Sequence, residues 1–234
     1  MNPASRVATV DWVGVGAELD AHGWAKLDAL FSREECAEAT ALYEDVGRFR
    51  SHVLMERHGF GRGEYKYFSY PLPEWICGLR TAVYPPLSKL ANRWNAMALA
   101  SSYPETHAEF LERCHAAGQE RPTPLLLRYG PGDYNCLHQD LYGPLAFPLQ
   151  LTVLLSDPAR DFSGGEFVLT EQRPRMQSRA EVVPLGLGDA VIFAVDARPV
   201  AGRRGTYRVK LRHGVSRVRS GRRHALGVIF HDAA

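Results

Sequence analysis

Apolar and polar residues change their spacing near residue 121, and the predicted secondary structure changes with them. Before this point, apolar residues recur every three or four positions, which is typical of amphipathic helices. Ser32 with Glu35, and Thr106 with Glu109, have the spacing of a capping box, in which two side chains satisfy free backbone N–H groups of the first turn. We therefore expect helices to begin at both places.

Another helical pattern starts near Pro73 and continues to about Met97. Pro85 and Pro86 lie inside it. Because proline has no N–H to donate and its ring crowds the preceding turn, we expect a break or kink there. Residues 59–68 combine glycines with aromatic residues. That composition suits a loop or short strand near the mouth of a pocket, and it equally suits a plain surface connection.

After residue 121 the chain consists of short apolar or alternating runs separated by glycine-containing turns, which is typical of β-strands. Several short strands at close spacing favour a barrel or a two-sheet jelly roll. We therefore predict an α+β fold, with a double-stranded β-helix (jelly-roll) core and N-terminal helices packed against it. The predicted strands are residues 125–129, 149–155, 166–170, 181–184, 190–195, 207–215 and 223–230.

Length and composition are compatible with this fold. A chain of 234 residues can form one large domain or a domain with an extension, and 45% hydrophobic with 23% charged residues is ordinary for a globular protein. We expect an N-terminal helical extension over residues 1–61 and a second domain over residues 62–234. Within the second domain we expect a helical part at 62–120 and the β-helix core at 121–234.

Cysteine spacing and hydropathy indicate the compartment. The four cysteines are widely spaced and do not form the pairs typical of zinc or disulfide sites, so free thiols in a reducing compartment are expected. The start of the chain has no apolar segment of signal-peptide type, and no apolar run reaches about 18 residues. We therefore expect a cytoplasmic protein that does not enter the membrane.

His138, Asp140 and His213 are the strongest candidates for chemistry. Residues two apart in an extended segment project to the same side, so His138 and Asp140 can face one ion. Alternation over residues 207–213 puts His213 on the apolar face, where a buried imidazole needs either a metal ion or an ordinary hydrogen-bond partner. Two histidines and one carboxylate can hold Fe(II) on one face and leave the other open, as in non-haem iron oxygenases.

Arg223 is the candidate anchor for a small acid. It shares a strand face with Ala225 and Gly227, which leave room beside a guanidinium that is costly to bury unpaired. A dicarboxylate could pair with its fork of donors; alternatively, the strand is turned so that Arg223 faces water. His224 and His231 are rival third ligands. The first is disfavoured because it lies opposite Arg223 on its strand, and the second because we expect it to be poorly held near the terminus.

Several segments match one superfamily: His138-x-Asp140, residues 164–167, residues 188–193, His213 and Arg223. In these marks the chain resembles the Fe(II)/2-oxoglutarate-dependent dioxygenases. From about residue 62 to 234 it looks like a bacterial family provisionally labelled as oxygenases of damaged, alkylated DNA. The resemblance implies a double-stranded β-helix in which His138, Asp140 and His213 hold Fe(II) and Arg223 binds the distal carboxylate of 2-oxoglutarate. Dioxygen would complete the site, and substrate oxidation would accompany conversion of the keto acid to succinate and carbon dioxide.

Other polar residues near these positions have two interpretations. Tyr129, Tyr134 and Asn135, just before the first ligand, could hydrogen-bond the keto acid, and so could Thr152 within an apolar strand. Ordinary structural hydrogen bonding is the alternative for each of them. We interpret Asp189, which follows a glycine, as a turn residue and not as a ligand.

The sequence is compatible with several classes of substrate. Ten basic and no acidic residues lie between positions 198 and 223, a cluster that could follow a phosphate backbone or form a solvated outer sheet face. The best-known DNA-alkylation-repair oxygenases have a second arginine six residues after the first, where this chain has Ile229. The candidates are therefore an alkylated nucleic acid, a protein side chain (as in prolyl hydroxylases) or a small molecule, and, from another class, a non-catalytic jelly-roll binding module.

Overall fold

The computed structural model describes residues 2–97, 102–202 and 205–234, and within these ranges it is an α+β fold. The helices are α1 (Pro3–Val7), α2 (Trp12–His22), α3 (Arg33–Ala41), α4 (Glu74–Ala96) and α5 (His107–Ala116), with three short 3₁₀ turns at Leu42–Glu44, Val46–Arg48 and Met55–His58. Both predicted capping boxes are confirmed, at the start of α3 and of α5. Among the described residues, no helix is long and apolar enough to span a bilayer.

The strands number fifteen in the described part of the chain, and they include all seven that the sequence predicts, with ends shifted by up to two residues. They are β1 (Trp24–Leu27), β2 (Phe49–Leu54), β3 (Gly61–Arg62), β4 (Glu64–Phe68), β5 (Leu125–Tyr129), β6 (Tyr134–His138), β7 (Leu149–Leu154), β8 (Phe162–Gly164), β9 (Phe167–Gln172), β10 (Arg179–Val183), β11 (Ala190–Ala194), β12 (Ala197–Gly202), β13 (Gly205–Val215), β14 (Val218–Gly221) and β15 (Arg223–Val228).

Two antiparallel sheets face each other, as predicted for a jelly roll. The larger sheet has the order β1-β11-β7-β15-β5-β4-β2. The smaller sheet has the order β10-β9-β13-β6-β3, with β12 also paired to β13, and β8 with β14 forms a separate ribbon. The segment predicted as an N-terminal helical extension, residues 1–61, also contributes β1 and β2 to the larger sheet. Strands of four to six residues between helices carry too little alternation to stand out in the sequence.

Helices cover the outer face of the larger sheet. The largest apolar cluster joins helix residues such as Leu19, Leu79 and Val83 to sheet residues such as Leu151 and Leu226, all of them buried. Because the helices cover the outer face of the larger sheet, its inner face remains to enclose a cavity with the smaller sheet. The helices therefore stabilise the wall of that cavity without entering it.

The predicted break at Pro85 and Pro86 does not occur, because α4 continues from Glu74 to Ala96. Each proline leaves one backbone carbonyl, of Thr81 and of Ala82, without its usual helical donor. These two residues and both prolines lie on the partly exposed side of the helix, where water can reach. Burial of the opposite side of α4 against the core outweighs the loss of two hydrogen bonds.

A buried ionic cluster ties the end of β15 to the helices. Asp232 is fully buried, and its carboxylate lies 3.1 Å from an Arg80 guanidinium nitrogen on α4 and 3.0 Å from Nε2 of His115 on α5. The Tyr70 hydroxyl donates to the same carboxylate over 2.7 Å, and Arg80 also donates to the Phe230 carbonyl. These contacts hold the strand that carries Arg223 against α4 and α5.

We expect Asp232→Ala to lower the free energy of unfolding by about 3–5 kcal/mol, because it leaves the buried Arg80 guanidinium without its partner. Urea denaturation followed by tryptophan fluorescence measures this change. The matched control is His115→Ala, whose side chain is 42% exposed and whose loss should cost less than about 1 kcal/mol. Equal effects of the two substitutions would contradict the importance of the Arg80–Asp232 pair.

Candidate active site

Strand pairing brings the two candidate histidine ligands together. In the antiparallel pair β6 and β13, His138 lies directly opposite His213, and their ring centroids are 4.2 Å apart. The predicted phase of β13 is confirmed: Val209, Leu211 and His213 are buried, while the basic residues between them are exposed. Asp140 follows β6 by two residues and turns its carboxylate toward both rings.

The three side chains converge on one point. Asp140 Oδ1 lies 3.3 Å from His138 Nε2, and Asp140 Oδ2 lies 3.4 Å from His213 Nε2. One donor atom from each residue lies within 4.8 Å of the other two, which is the spacing needed to share one ion. The predicted convergence is therefore present. Two imidazoles and a carboxylate are the donor set of the facial triad that binds Fe(II).

Surrounding groups fix the orientation of each side chain. His138 Nδ1 donates to the Cys136 carbonyl over 2.7 Å, so Nε2 is left to face the other two residues. The Tyr142 hydroxyl donates to Asp140 Oδ1 over 2.8 Å, and the Gln150 amide donates to Oδ2 over 3.0 Å. Such outer contacts orient metal ligands and raise their affinity. Both oxygens of the carboxylate are thus held in place before an ion arrives.

Charge coupling separates the pKa values of the three groups. Burial disfavours the charge on each. For His138, however, the nearby Asp140 carboxylate outweighs burial and raises the pKa above 6.5. Burial also opposes ionisation of Asp140, but hydrogen bonds from the two histidines hold its pKa well below 3.8. Burial dominates at His213 and lowers its pKa. The Asp140 carboxylate thus favours the charged form of His138, whereas burial favours the neutral form of His213.

A cavity of about 350 Å³ opens from this triad between the two sheets. Its floor is the inner face of the larger sheet, and the triad closes it on the side of the smaller sheet. The predicted residues Tyr129, Asn135 and Thr152 line it, whereas Tyr134 does not. Phe60 lines the mouth of this cavity. The prediction that residues 59–68 lie near the mouth of a pocket is therefore confirmed.

Arg223 lies in this cavity with no anionic partner. It is 1% exposed and pairs across the sheet with Tyr129, whose ring centroid is 5.5 Å from the guanidinium carbon. No carboxylate in the described part of the chain lies within ion-pair distance of it, and its Nε and the Tyr129 hydroxyl lack hydrogen-bond partners there. Burial lowers the pKa of Arg223. A cation buried at this cost, at the edge of a cavity, is suited to an anionic ligand.

The two small residues after Arg223 act differently from each other. Ala225 and Gly227 both line the cavity, as predicted from their strand face. A Cβ on Gly227 would lie 2.6 Å from the Leu125 side chain. Gly227 therefore makes room for Leu125 and not directly for a ligand, which corrects the sequence-based interpretation of that residue.

Sequence reasoning missed two polar side chains of the site, Gln150 and Tyr142, and placed Tyr65 and Tyr67 only in a segment near a pocket mouth. The Tyr67 hydroxyl donates to the Tyr142 hydroxyl over 3.1 Å, which extends the chain of hydrogen bonds from Asp140. Gln150 could have been found, because it lies two residues before Thr152 on the same face of an apolar strand. Tyr142 could also have been found, because it lies two residues after Asp140. The contact of Tyr67 with Tyr142 could not, since only the assembled sheet brings β4 to this position.

Family comparison decides the class of this protein. Residues 63–233 match the model of a family described as "Oxygenase, catalysing oxidative methylation of damaged DNA". The chain belongs to this oxygenase family. Two uncharacterized proteins of Mycobacterium tuberculosis are each 49% identical to the oxygenase over 168 residues, covering 71% of this chain and 72% of theirs.

Solved structures with the same fold include several iron oxygenases. The oxygenase is similar to a Burkholderia pseudomallei oxidoreductase of the 2OG-Fe(II) oxygenase family (TM-score 0.54, 16% identity, 96% of this chain and 94% of that one). It is also similar to a Pseudomonas putida prolyl-4-hydroxylase (TM-score 0.52, 14% identity, 95% and 100%). A third is the non-heme α-ketoglutarate-dependent epimerase SnoN from nogalamycin biosynthesis (TM-score 0.54, 16% identity, 92% and 80%). At these identities the likeness concerns the fold.

Family, fold and triad agree on one assignment for the oxygenase. It is an oxidoreductase of the Fe(II)/2-oxoglutarate-dependent dioxygenase superfamily, with Fe(II), 2-oxoglutarate and dioxygen as cofactor and co-substrates. The donor set fits iron(II), and the unpartnered Arg223 fits a dicarboxylate. The alternative of a non-catalytic module is thereby wrong.

The rival residues lie outside the triad. The His224 ring packs edge-on against Tyr43, and burial lowers its pKa to about 4. His231 is 1% exposed and its Nδ1 accepts from the Phe147 N–H, so the expectation that it is poorly held is wrong. Asp189 accepts from the backbone N–H groups of Ala29 and Gly186, which fits its predicted role in a turn.

Several basic residues between positions 198 and 223 are buried or paired with carboxylates in the folded chain. Arg198 is 2% exposed and lies 2.6 Å from a Glu171 oxygen, and Lys210 lies 2.7 Å from Asp196. Arg223 is buried in the cavity. Positions 203 and 204 lie outside the described residues. The remaining arginines are exposed, at positions 208, 212, 217, 219 and 222.

In the metal-free oxygenase we expect His138 to titrate above 6.5 and His213 below it, because the Asp140 charge outweighs burial only at His138. NMR titration of the imidazole nitrogens measures both values, with resonances assigned from His138→Gln and His213→Gln. In Asp140→Asn the pKa of His138 should fall, since burial then acts unopposed by the carboxylate. A His138 pKa that does not respond to Asp140→Asn would contradict the coupling.

Proposed function

We propose that the oxygenase oxidises an alkylated base in nucleic acid, with His138, Asp140 and His213 as iron ligands and Arg223 as the anchor of 2-oxoglutarate. One observation carries the site assignment: the same cavity has a three-ligand cluster on one wall and a buried, unpaired guanidinium on another. A dicarboxylate with a keto acid at one end offers a suitable group to each of them. The substrate class follows the description of the family.

Each residue of the site has a defined part in this proposal. Arg223 binds the distal carboxylate through its planar fork, and Tyr129, with its free hydroxyl on the neighbouring strand, donates to the same group. Thr152 and Asn135 line the cavity between this end and the triad, where they can donate to the keto acid. When bound, iron, 2-oxoglutarate and dioxygen supply the oxidising chemistry, in which the keto acid becomes succinate and carbon dioxide and one oxygen atom enters the substrate.

The protein's further contribution is to position and shield this chemistry. Tyr142 and Gln150 hold the two oxygens of Asp140, so the carboxylate needs no reorganisation when it binds the ion. Leu125 and Leu127 cover the cavity floor with apolar surface, which limits the water beside the reacting groups. The open side lies at half-buried His138 and the mouth residue Phe60, where a substrate group can enter.

Hydroxylation of a protein side chain or a small molecule is the second candidate. It is favoured by Ile229, a buried apolar residue at the position where the best-known DNA-repair oxygenases have a second arginine. Hydroxylation and oxidative demethylation use the same iron chemistry, so the two candidates differ only in what enters the mouth. The compartment proposed for this activity is the cytoplasm.

We expect the purified protein with Fe(II), ascorbate and 2-oxoglutarate to form succinate, even without substrate, and His138→Ala to abolish it. Loss of a direct ligand should weaken Fe(II) binding by more than about 100-fold, which exceeds the usual effect of outer contacts. Succinate is measured by mass spectrometry and metal binding by titration under anaerobic conditions. The control is His224→Ala, a histidine away from the triad. Succinate formation that persists in His138→Ala would exclude this residue as a ligand.

We expect Arg223→Met to raise the dissociation constant for 2-oxoglutarate by at least about 30-fold, since it removes a buried charge pair worth about 2 kcal/mol or more. Calorimetry with Mn(II) in place of iron measures the affinity. The same change should leave the ligand-free melting temperature equal or higher, because the buried cation has no partner to lose. Arg212→Met, on the outer face of β13, is the charge-matched control. Equal affinities in these two variants would rule out Arg223 as the anchor.

A further inference from the structure

The segment from Met55 to Arg62, which we call the lip, lies at the cavity mouth and is held by its own backbone hydrogen bonds. Met55 is fully buried at its base, and its N–H donates to the Gly63 carbonyl over 3.0 Å. The Phe60 N–H donates back to the Met55 carbonyl over 3.1 Å, which closes the loop on itself. The lip therefore presents its outer residues in a defined conformation.

The lip is joined directly to the strand of the first ligand. The Cys136 N–H donates to the Phe60 carbonyl over 2.9 Å, and β3 pairs with the first residues of β6. Cys136 precedes His138 by two residues and accepts its Nδ1 hydrogen bond. A molecule that enters the cavity at His138 must therefore pass beside Phe60.

Aromatic surface is exposed at this position. Phe60 is 48% exposed, and the exposed His58 ring stacks against it with a centroid distance of 5.3 Å and an interplanar angle of 21°. Two more apolar side chains are exposed next to the ligands: Leu137 at 45% and Leu141 at 52%. A flat, stacked aromatic pair beside an oxidation site suits a planar partner such as a nucleobase.

The lip also carries cationic charge. Arg57 is exposed and has no ion pair among the described residues, and the Arg62 side chain is 53% exposed with Nε 3.9 Å from Asp133. Glu56 is the one carboxylate within the lip itself. Two arginines on either side of an aromatic pair can contact two phosphates while a base stacks between them.

The basic residues of β13 cannot serve this role. Arg208, Lys210 and Arg212 alternate with Val209, Leu211 and His213, so they point away from the cavity. A strand bound to them would lie behind the wall that holds the metal ligands. Arg57 and Arg62 of the lip are instead close in the chain to Gly59 and Phe60, which line the cavity.

We propose that the lip is the docking surface for a single strand of nucleic acid, with a base stacked on Phe60 and phosphates contacted by Arg57 and Arg62. This proposal rests on the nucleic-acid substrate of the proposed function. It places the neighbouring nucleotide beside His138, where its base can enter the cavity. Stacking, which does not depend on base identity, supplies the affinity, and the cavity selects the base to be oxidised.

Fluorescence anisotropy with a labelled single-stranded DNA of about 12 nucleotides tests the stacking contact. We expect Phe60→Leu, which keeps apolar contact but loses the ring, to weaken binding at least about fivefold, and Phe60→Trp to bind as tightly as the wild type or more tightly. Unchanged binding in Phe60→Leu would overturn the proposal. So would the absence of single-strand binding by the wild type, including the case in which a proline-containing peptide binds instead.

Salt dependence tests the phosphate contacts. Replacing both Arg57 and Arg62 by alanine should reduce the slope of log affinity against log salt by about 1.4, or about 0.7 for each phosphate contact on a single strand. The charge-matched control replaces Arg208 and Arg212 by alanine and should leave the slope unchanged. The reverse pattern would assign the docking surface to β13 and overturn the proposal for the lip.

Calorimetry with Mn(II) and 2-oxoglutarate on the same wild-type sample keeps the two proposals apart. Keto-acid binding without DNA binding would overturn the lip and its substrate class while the iron chemistry stands. DNA binding that depends on Phe60, without keto-acid binding, would support the lip while the site assignment fails.

Discussion

The pairing of β6 with β13 is the constraint on which the site depends. It places His138 opposite His213, although the two residues are far apart in the chain. Because side chains alternate along a strand, a slip of one residue would turn His213 to the solvent face and leave Asp140 without its second partner. In this pairing no side chain fits at Gly214, because a Cβ there would lie 2.6 Å from the Asn135 carbonyl oxygen. The apolar alternation of β13 and this close backbone contact thus specify the same register.

Charged side chains lie at two ends of the site, and their charge is compensated at one end but not at the other. At one end, Asp140 compensates positive charge on His138, which raises the pKa of His138 and holds the pKa of Asp140 low. At the other end, Arg223 has no such compensation among the described residues. The fold therefore carries the cost of a buried cation, which the helices and the Arg80–Asp232 cluster offset by stabilising the same sheet. An acid that pairs with Arg223 recovers that cost as binding energy.

Local rules predicted much of this molecule, and long-range contacts account for what they missed. The capping boxes, the seven main strands, the inward phase of His213 and the shared face of Arg223 and Ala225 each depend on residues close in the sequence. The continuity of α4 through Pro85 and Pro86 depends on burial against a distant core, which is why the predicted break there was wrong. The ion pair of Arg198 with Glu171 joins β12 to β9 and is buried, so part of a basic run that resembled a surface patch is internal structure. Tyr67 meets the Tyr142 hydroxyl, and through it Asp140, only once the strands assemble.

The peptide units around Cys136 join the mouth of the cavity to its chemistry. The Cys136 N–H is bonded to the Phe60 carbonyl, and its carbonyl is bonded to the ring of His138. The lip is therefore linked, through two hydrogen bonds and one residue, to the contact that orients the His138 ring. The central strands of the larger sheet, β7 and β15, carry Thr152 and Arg223, and helices pack against the outer face of that sheet. The proposed co-substrate end of the cavity thus lies on central strands, whereas the lip connects β2 and β4 at the edge of the same sheet.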